Sequence, residues 1–225
     1  GEAVFAPGHF NEACRIADGM GLQISVHAIG DLAVQRVLDG YEAAQAANCK
    51  RDARHRIEHI ELITAADIDR MKRLDVVASM QPRHAAFGGF FDPPTPNTVF
   101  FDDERERAYA WQTIRDKGIP LAFSTDWPVV PVDAMANIQS AMAPRDLGPG
   151  WLDQRQGLMD TLYSYTAMNA WMAFREGLHG SLAPGLAADV VVLDGDIESW
   201  DPAAMSTLPI ALTVCDGQVT YDAGR

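Results

Sequence analysis

The sequence predicts an α/β fold with a parallel sheet, followed by a short antiparallel β segment. Three observations carry that expectation. Short apolar runs alternate with amphipathic segments between residues 10 and 143. Several of those runs end abruptly in a polar residue. After residue 175 the pattern gives way to a valine-rich run and a hairpin signature. Consecutive parallel strands need a crossover that lies on one face of the sheet, so regular alternation with helices implies parallel pairing.

Taken in order, helical periodicity runs from about Phe10 to Gly19, and Leu22–His27 follows as a strand. Gly30-Asp31 punctuates the next start. Asp31 suits an N-cap, and Val34, Val37, Leu38 and Tyr41 form an apolar stripe through about Ala47. Arg54–Glu61 reads as a strand. Thr64 opens a helix with Ile68, Met71 and Leu74 on one face, and Asp67 resembles the partner in a capping arrangement. Val76–Met80 is a further strand. A connection rich in Phe, Pro and Gly (Phe87–Phe101) precedes a helix near Glu104–Lys117, which Gly118 ends. Pro120–Ser124 is the fourth strand, and helices are expected over about Val132–Ala143 and Asp160–Phe174. Ala188–Leu193 is a strong strand, and Ala211–Tyr221 reads as a hairpin turning at Asp216-Gly217.

Four strand–helix units are half of a closed eight-strand barrel, which typically needs about 250 residues by itself. An open half would leave two unpaired edges and an uncovered apolar interior. The expected organisation is therefore a partial (β/α)8 barrel over residues 1–175 and a small β segment over 176–225. The missing half is expected upstream or from another chain, a homo-oligomer included; Gly1-Glu-Ala-Val reads as the middle of a domain.

Composition narrows the function. The chain has 225 residues, 48% of them apolar, enough for a packed core. A formal charge of −13 argues against nucleic acid and anionic membrane surfaces as partners, because both need a basic footprint. Cys14, Cys49 and Cys215 form no CxxC pair and fit reduced thiols in a cytoplasmic protein. No apolar stretch approaches the roughly 20 residues of a membrane span, and no signal peptide is visible.

Three of the strands end in potential metal ligands: Gln23-Ile-Ser-Val-His27, Arg56-Ile-Glu-His59, and Pro120–Phe123 running into Ser124-Thr-Asp126-Trp-Pro128. Singly, a strand-end histidine is more often a hydrogen-bonded core residue, and Asp126 suits a turn or a helix-capping acid. Jointly they stand where parallel strands give way to loops, the rim where barrel chemistry sits. Imidazole and carboxylate are the ligands zinc takes in sites that keep a position open for water. Asp126 can in addition accept a proton from that water and pass it to a leaving nitrogen, the general acid–base role. His55 and His59 are spaced like a helical zinc pair, but Ile57 and Ile60 in a short run favour a strand. His84, after Gln81-Pro82, suits either a hydrogen bond to substrate or a structural role. Arg83 suits a substrate anion or a solvent-facing position. Phe87, Phe90, Phe91, Phe100 and Phe101 line an apolar pocket or simply pack their loop. No GxSxG, Walker-type or GxGxxG motif occurs, which leaves serine hydrolase, NTPase and dinucleotide readings without support.

These stretches resemble the amidohydrolase superfamily, and most closely its YtcJ-like branch, the amidohydrolase 3 group. The resembling segments are Val26–Asp31, Arg54–His59, Ser79–His84, Ser124–Pro128, Gly180–Gly185 and Ala188–Asp194, which follow the family's order over nearly the whole chain. The resemblance implies that the chain supplies strands five to eight of the barrel and strands of a small β-sandwich. It implies metal ligation by His27 and His59 at the ends of strands five and six. It makes Asp126, ending strand eight, both a ligand and the proton shuttle. It implies one or two divalent ions, zinc above all, and hydrolysis of a non-peptide C–N bond in an amide-like small molecule. Two departures stand beside it. The family's strand-one His-x-His pair and strand-four lysine have no counterpart in these residues, so an inactive fragment or a half-subunit is the alternative reading. Deaminase-like relatives carry a glutamate three residues after the strand-five histidine, where this chain has Gly30, which weighs against a zinc-dependent deaminase.

Overall fold

The structure, a computed structural model, describes residues 4–85, 100–146 and 148–224. The chain divides into two compact units. The first comprises Gly1–Met80, Thr95–Ala122 and Leu147–Gln154; the second comprises Gln81–Pro94, Phe123–Asp146 and Arg155–Arg225.

In the first unit, α1 (Pro7–Gly19) starts with proline at its first position, where the missing N–H costs nothing. It packs on α2 (Asp31–Asn48) at Gly40, where a Cβ would lie 2.5 Å from a Phe10 ring carbon and 2.9 Å from Cys14 Sγ. The predicted stripe of Val34, Val37, Leu38 and Tyr41 is the buried face of α2. The expected cap is corrected: Gly30 holds the N-cap position, and Asp31 is the first helical residue, its carboxylate accepting from the Leu32 N–H at 2.8 Å. β1 (Ser25–Ala28) and β2 (Arg56–His59) pair in parallel with His27 opposite Glu58, and β2 pairs in parallel with β3 (Val77–Met80). The sheet order is β1-β2-β3-β4, with β4 at Leu121–Phe123. Between β2 and β3, Thr64 caps α3 (Ala65–Leu74) by accepting from the Asp67 N–H at 3.1 Å, and its hydroxyl bonds the Asp67 carboxylate at 2.9 Å. The capping pair read from the sequence is thus present.

The single helix expected over Glu104–Lys117 is corrected to a 3-10 turn at Arg105–Arg107 and a short helix, α4 (Trp111–Asp116). Tertiary pairing breaks the period. Ala108 forms an antiparallel bridge with Leu62, and Tyr109, at φ 49°, donates its N–H to the Glu61 carbonyl at 2.8 Å. α4 then gains its cap from afar: the Gln154 side-chain oxygen accepts from the N–H groups of Gln112 and Thr113, and the Gln154 carbonyl accepts from the Trp111 indole. Gly118 closes the helix at φ 69°, a left-handed conformation that glycine adopts without a Cβ clash.

In the second unit, Asp133 caps α5 (Ala134–Met142), accepting from the Ala136 N–H at 3.1 Å. The helix expected over Asp160–Phe174 is corrected to two, α6 (Leu158–Tyr165) and α7 (Ala167–Met172), broken at Thr166, whose φ of −121° and ψ of −87° are not helical. The Asn169 side chain holds the break by donating to the carbonyls of Phe123, Ser164 and Tyr165. Met135, Ile138 and Met142 of α5 form a core with Met205, within the 3-10 segment Pro202–Thr207, and with Leu208 just after it. The chain ends in an antiparallel sheet, β5 (Val190–Leu193), β6 (Ile210–Cys215) and β7 (Gln218–Asp222), in that order. The turn falls at Asp216-Gly217 as expected, with both residues at positive φ. The α/β class, a parallel sheet with helices followed by an antiparallel sheet, is therefore the one the sequence predicts. Among the described residues, no helix is long and apolar enough to cross a membrane.

Candidate metal centre

In the first unit, His27 lies exposed on β1, and His59 is the last residue of β2, 8% exposed. Their rings meet edge to face with centroids 4.4 Å apart. His59 and Ile60 have φ values of 80° and 51°, a left-handed stretch that side chains with a Cβ adopt at a cost and that recurs at functional sites. On β2, opposite His27 in register, burial alone would raise the Glu58 carboxyl. Hydrogen bonds from Ser25, Ser79 and Arg56, with the Arg56 charge, outweigh it and hold the group below the ordinary carboxylate range. Ser25 Oγ and Arg56 Nε both stand 2.6 Å from that carboxylate. Two residues past His59, burial pushes the Glu61 carboxyl up while the Tyr109 hydroxyl, 3.2 Å away, opposes it.

His55 is structural, as the strand reading implied. Its Nδ1 accepts from the Ile24 N–H at 3.0 Å and its Nε2 stands 3.1 Å from the buried Asp18 carboxylate. That arrangement fixes the neutral tautomer with the proton on Nε2.

In the second unit, Pro82–His84 forms a 3-10 turn after β3, and His84 Nε2 lies 3.8 Å from Asp126 Oδ2. Asp126 sits at φ 57° in a tight turn: its carbonyl accepts from the Val129 N–H at 2.8 Å, and Thr125 Oγ1 accepts from the Trp127 N–H at 3.1 Å. The Trp127–Pro128 peptide is cis. Gln81 Nε2 donates to Ser124 Oγ at 2.9 Å and ties the residue after β3 to the residue after β4.

The first unit thus presents two imidazoles, His27 and His59, side by side, and the second presents an imidazole, His84, beside the Asp126 carboxylate. Two imidazole nitrogens and a carboxylate oxygen are a donor set that zinc-type cations accept, so the residues present fit the group the sequence pointed to. His84, expected at most to meet substrate, stands beside Asp126. In the sequence it stands just after Val76–Met80, a strand that does not itself end in a histidine or an acid. Arg83 is half-buried beside it. Phe87, Phe90 and Phe91 lie outside the described residues. Phe100 packs edge-on against Tyr109 and Trp151, at 5.7 and 5.9 Å, while Phe101 is 75% exposed. Asp189 is structural: it accepts from the Asp216 N–H and meets His179, each at 2.9 Å.

The model of the amidohydrolase family (Amidohydro_3) matches residues 1–221. The chain belongs to the amidohydrolase family. YtcJ of Bacillus subtilis (strain 168), named as an amidohydrolase, is 32% identical over 213 residues, which is 92% of this chain and 39% of that protein. The N-substituted formamide deformylase of Arthrobacter pascens is 25% identical over 92% of this chain and 38% of its own length. Among solved structures, an uncharacterized metal-dependent hydrolase of Pyrococcus furiosus superposes with a TM-score of 0.66 and 29% identity, over 84% of this chain and 36% of that one. This amidohydrolase chain thus spans well under half the length of the relatives it matches.

Proposed function

We propose that the protein hydrolyses a non-peptide C–N bond of an amide-like small molecule, with a divalent metal, zinc by preference, held by His27, His59 and Asp126. The observation that carries this reading is the pairing of the His27 and His59 rings, with centroids 4.4 Å apart at the ends of neighbouring strands, in a chain of the amidohydrolase family. His84 serves there as a further ligand or as a donor to the substrate carbonyl, and Arg83 contacts the substrate. A bound divalent cation supplies Lewis-acid polarisation and lowers the pKa of water to about 7. The chain's own contribution is acid–base work. Asp126 Oδ accepts the proton of the attacking water and delivers it to the departing nitrogen, which would otherwise leave as an unstable anion. Gly30, without a side chain, puts no carboxylate at the position where deaminase-like relatives carry glutamate, and this supports amide over ring-amine hydrolysis.

On this reading, further ligands come from a His-x-His pair and a lysine of the family's pattern that have no counterpart in these 225 residues. We therefore assign activity to the full-length protein, or to an assembly that supplies them, with residues 1–175 as barrel and 176–225 as part of a β-sandwich. The test is to compare the full-length protein with its Asp126→Asn variant on N-formyl and N-acetyl amides. Unchanged hydrolysis in the variant refutes the mechanism.

A further inference from the structure

The sheet face that carries His27 is polar across three strands. In a pleated parallel sheet, residues in register send their side chains to one face, and alternate residues of a strand share it. Ser25 and His27 of β1, Arg56 and Glu58 of β2, and Ser79 of β3 therefore stand together. Ser25 is opposite Arg56, His27 opposite Glu58, and Glu58 opposite Ser79. Ile57 turns to the other face and is fully buried. In barrel strands the inner face is ordinarily filled by branched apolar side chains; the histidine face of this sheet holds an ion pair. Glu58 Oε1 accepts from Ser25 Oγ and from Arg56 Nε, each at 2.6 Å, and the carboxylate accepts from the Ser79 hydroxyl as well. All of these residues belong to the first unit.

The ion pair has a direction. Arg56 opens β2, and Glu58 lies two residues, about 7 Å, further toward the histidine ends of the strands. The guanidinium reaches the other way: Arg56 Nη1 donates at 3.1 Å to the side-chain oxygen of Gln23, two residues before Ser25. The positive end thus points away from His27, and the negative end stands in its rung. His59, the residue after Glu58, closes its ring on His27 with centroids 4.4 Å apart. A half-buried ion pair contributes little to stability, because desolvation offsets most of its Coulombic gain. A divalent cation on the histidines gives it a use. The nearer carboxylate attracts that cation more than the farther guanidinium repels it, and carboxylates set behind metal-binding imidazoles orient the rings and raise their basicity.

We propose that Glu58 is a positioning residue for the metal: braced by Ser25, Ser79 and Arg56, its carboxylate sets a fixed negative charge beside His27 and strengthens the grip of the histidine pair on a divalent cation. This rests on the metal-dependent reading above. The test is the zinc dissociation constant of the metal-free full-length protein, measured by competition with a chromophoric chelator at pH 8, so no turnover is needed. Glu58→Gln should weaken zinc binding by about 10-fold, the low end for losing an outer carboxylate, and Glu58→Asp should restore part of it. Arg56→Gln removes the opposing charge and should bind zinc as tightly as wild type or more tightly. A network that only braces the strands predicts a different pattern, with Glu58→Gln and Arg56→Gln weakening binding alike. That pattern, or unchanged affinity in Glu58→Gln, overturns the role of Glu58 and leaves the metal site standing. If Glu58→Gln does not fold, the Arg56→Gln result decides by its sign: tighter binding supports the proposal and weaker binding overturns it. Wild type that takes up no zinc rejects the metal reading itself and the proposal with it.

Discussion

His84 Nε2 stands 3.8 Å from Asp126 Oδ2, so an imidazole and the proposed proton shuttle share one pocket of space at the ends of neighbouring strands. Asp126→Asn keeps the shape of the side chain and removes its basicity. Steady-state kinetics of the full-length protein should show kcat lower by about 10²- to 10⁴-fold, the range for losing a positioned acid–base group. The thermal midpoint should move little, because Asp126 occupies a half-buried turn and not the core.

Acid should loosen the first unit in two stages. His55 is held neutral by burial, which lowers its pKa, with Asp18 opposing and Arg51 adding to the fall. A folded value below the unfolded one means that the unfolded chain binds more protons between the two. Stability is therefore full above about pH 6.5 and declines as pH drops through that window. Asp18 is lowered by its contacts with Asn48, Arg51 and His55 against the effect of burial, and it adds a second loss below about pH 3.8. Urea midpoints measured from pH 8 to 5 should fall for wild type and flatten for His55→Gln, which retains an acceptor for the Ile24 N–H. A midpoint independent of pH in wild type would contradict this account.

Gln154 is a cap delivered by tertiary structure. Replacing it with alanine leaves the N–H groups of Gln112 and Thr113 without their acceptor inside a buried corner. The expected cost is about 1–3 kcal/mol of unfolding free energy, the penalty for stranding buried donors, read from chemical denaturation.

Gly40 and Gly8 should respond in opposite directions to alanine. At Gly40 the new methyl would meet the Phe10 ring at 2.5 Å, and overpacking of this kind costs about 1–3 kcal/mol. At Gly8, in the exposed first turn of α1, nothing lies within 4 Å, and the gain in helix propensity is up to about 1 kcal/mol. Paired thermal melts check both signs.

What could be read from the sequence was what neighbours along the chain decide. The α2 stripe, the Thr64–Asp67 cap and the Asp216-Gly217 turn depend on local spacing, and all three are present. The two broken helices were illegible for the converse reason. Tyr109 leaves helical geometry to bond Glu61, and Thr166 is held out of it by Asn169, whose amide reaches the Phe123 carbonyl 46 residues away. The site divides along the same line. A strand-end histidine or acid can be seen in sequence, because the apolar run stops there. His84 comes after a proline turn, and the turn's fold back toward Asp126 has no sequence signature.

The central claim, that these histidines and Asp126 hold a catalytic cation, is tested most directly by the metal content of purified full-length protein. Mass spectrometry of dialysed wild type should find about one or two equivalents of zinc-type metal per chain. His59→Ala and Asp126→Asn should each lose most of it, and activity should vanish and return with the metal on chelation and reloading. Full metal retention in both variants, or turnover that persists in wild type stripped of metal, would contradict the account.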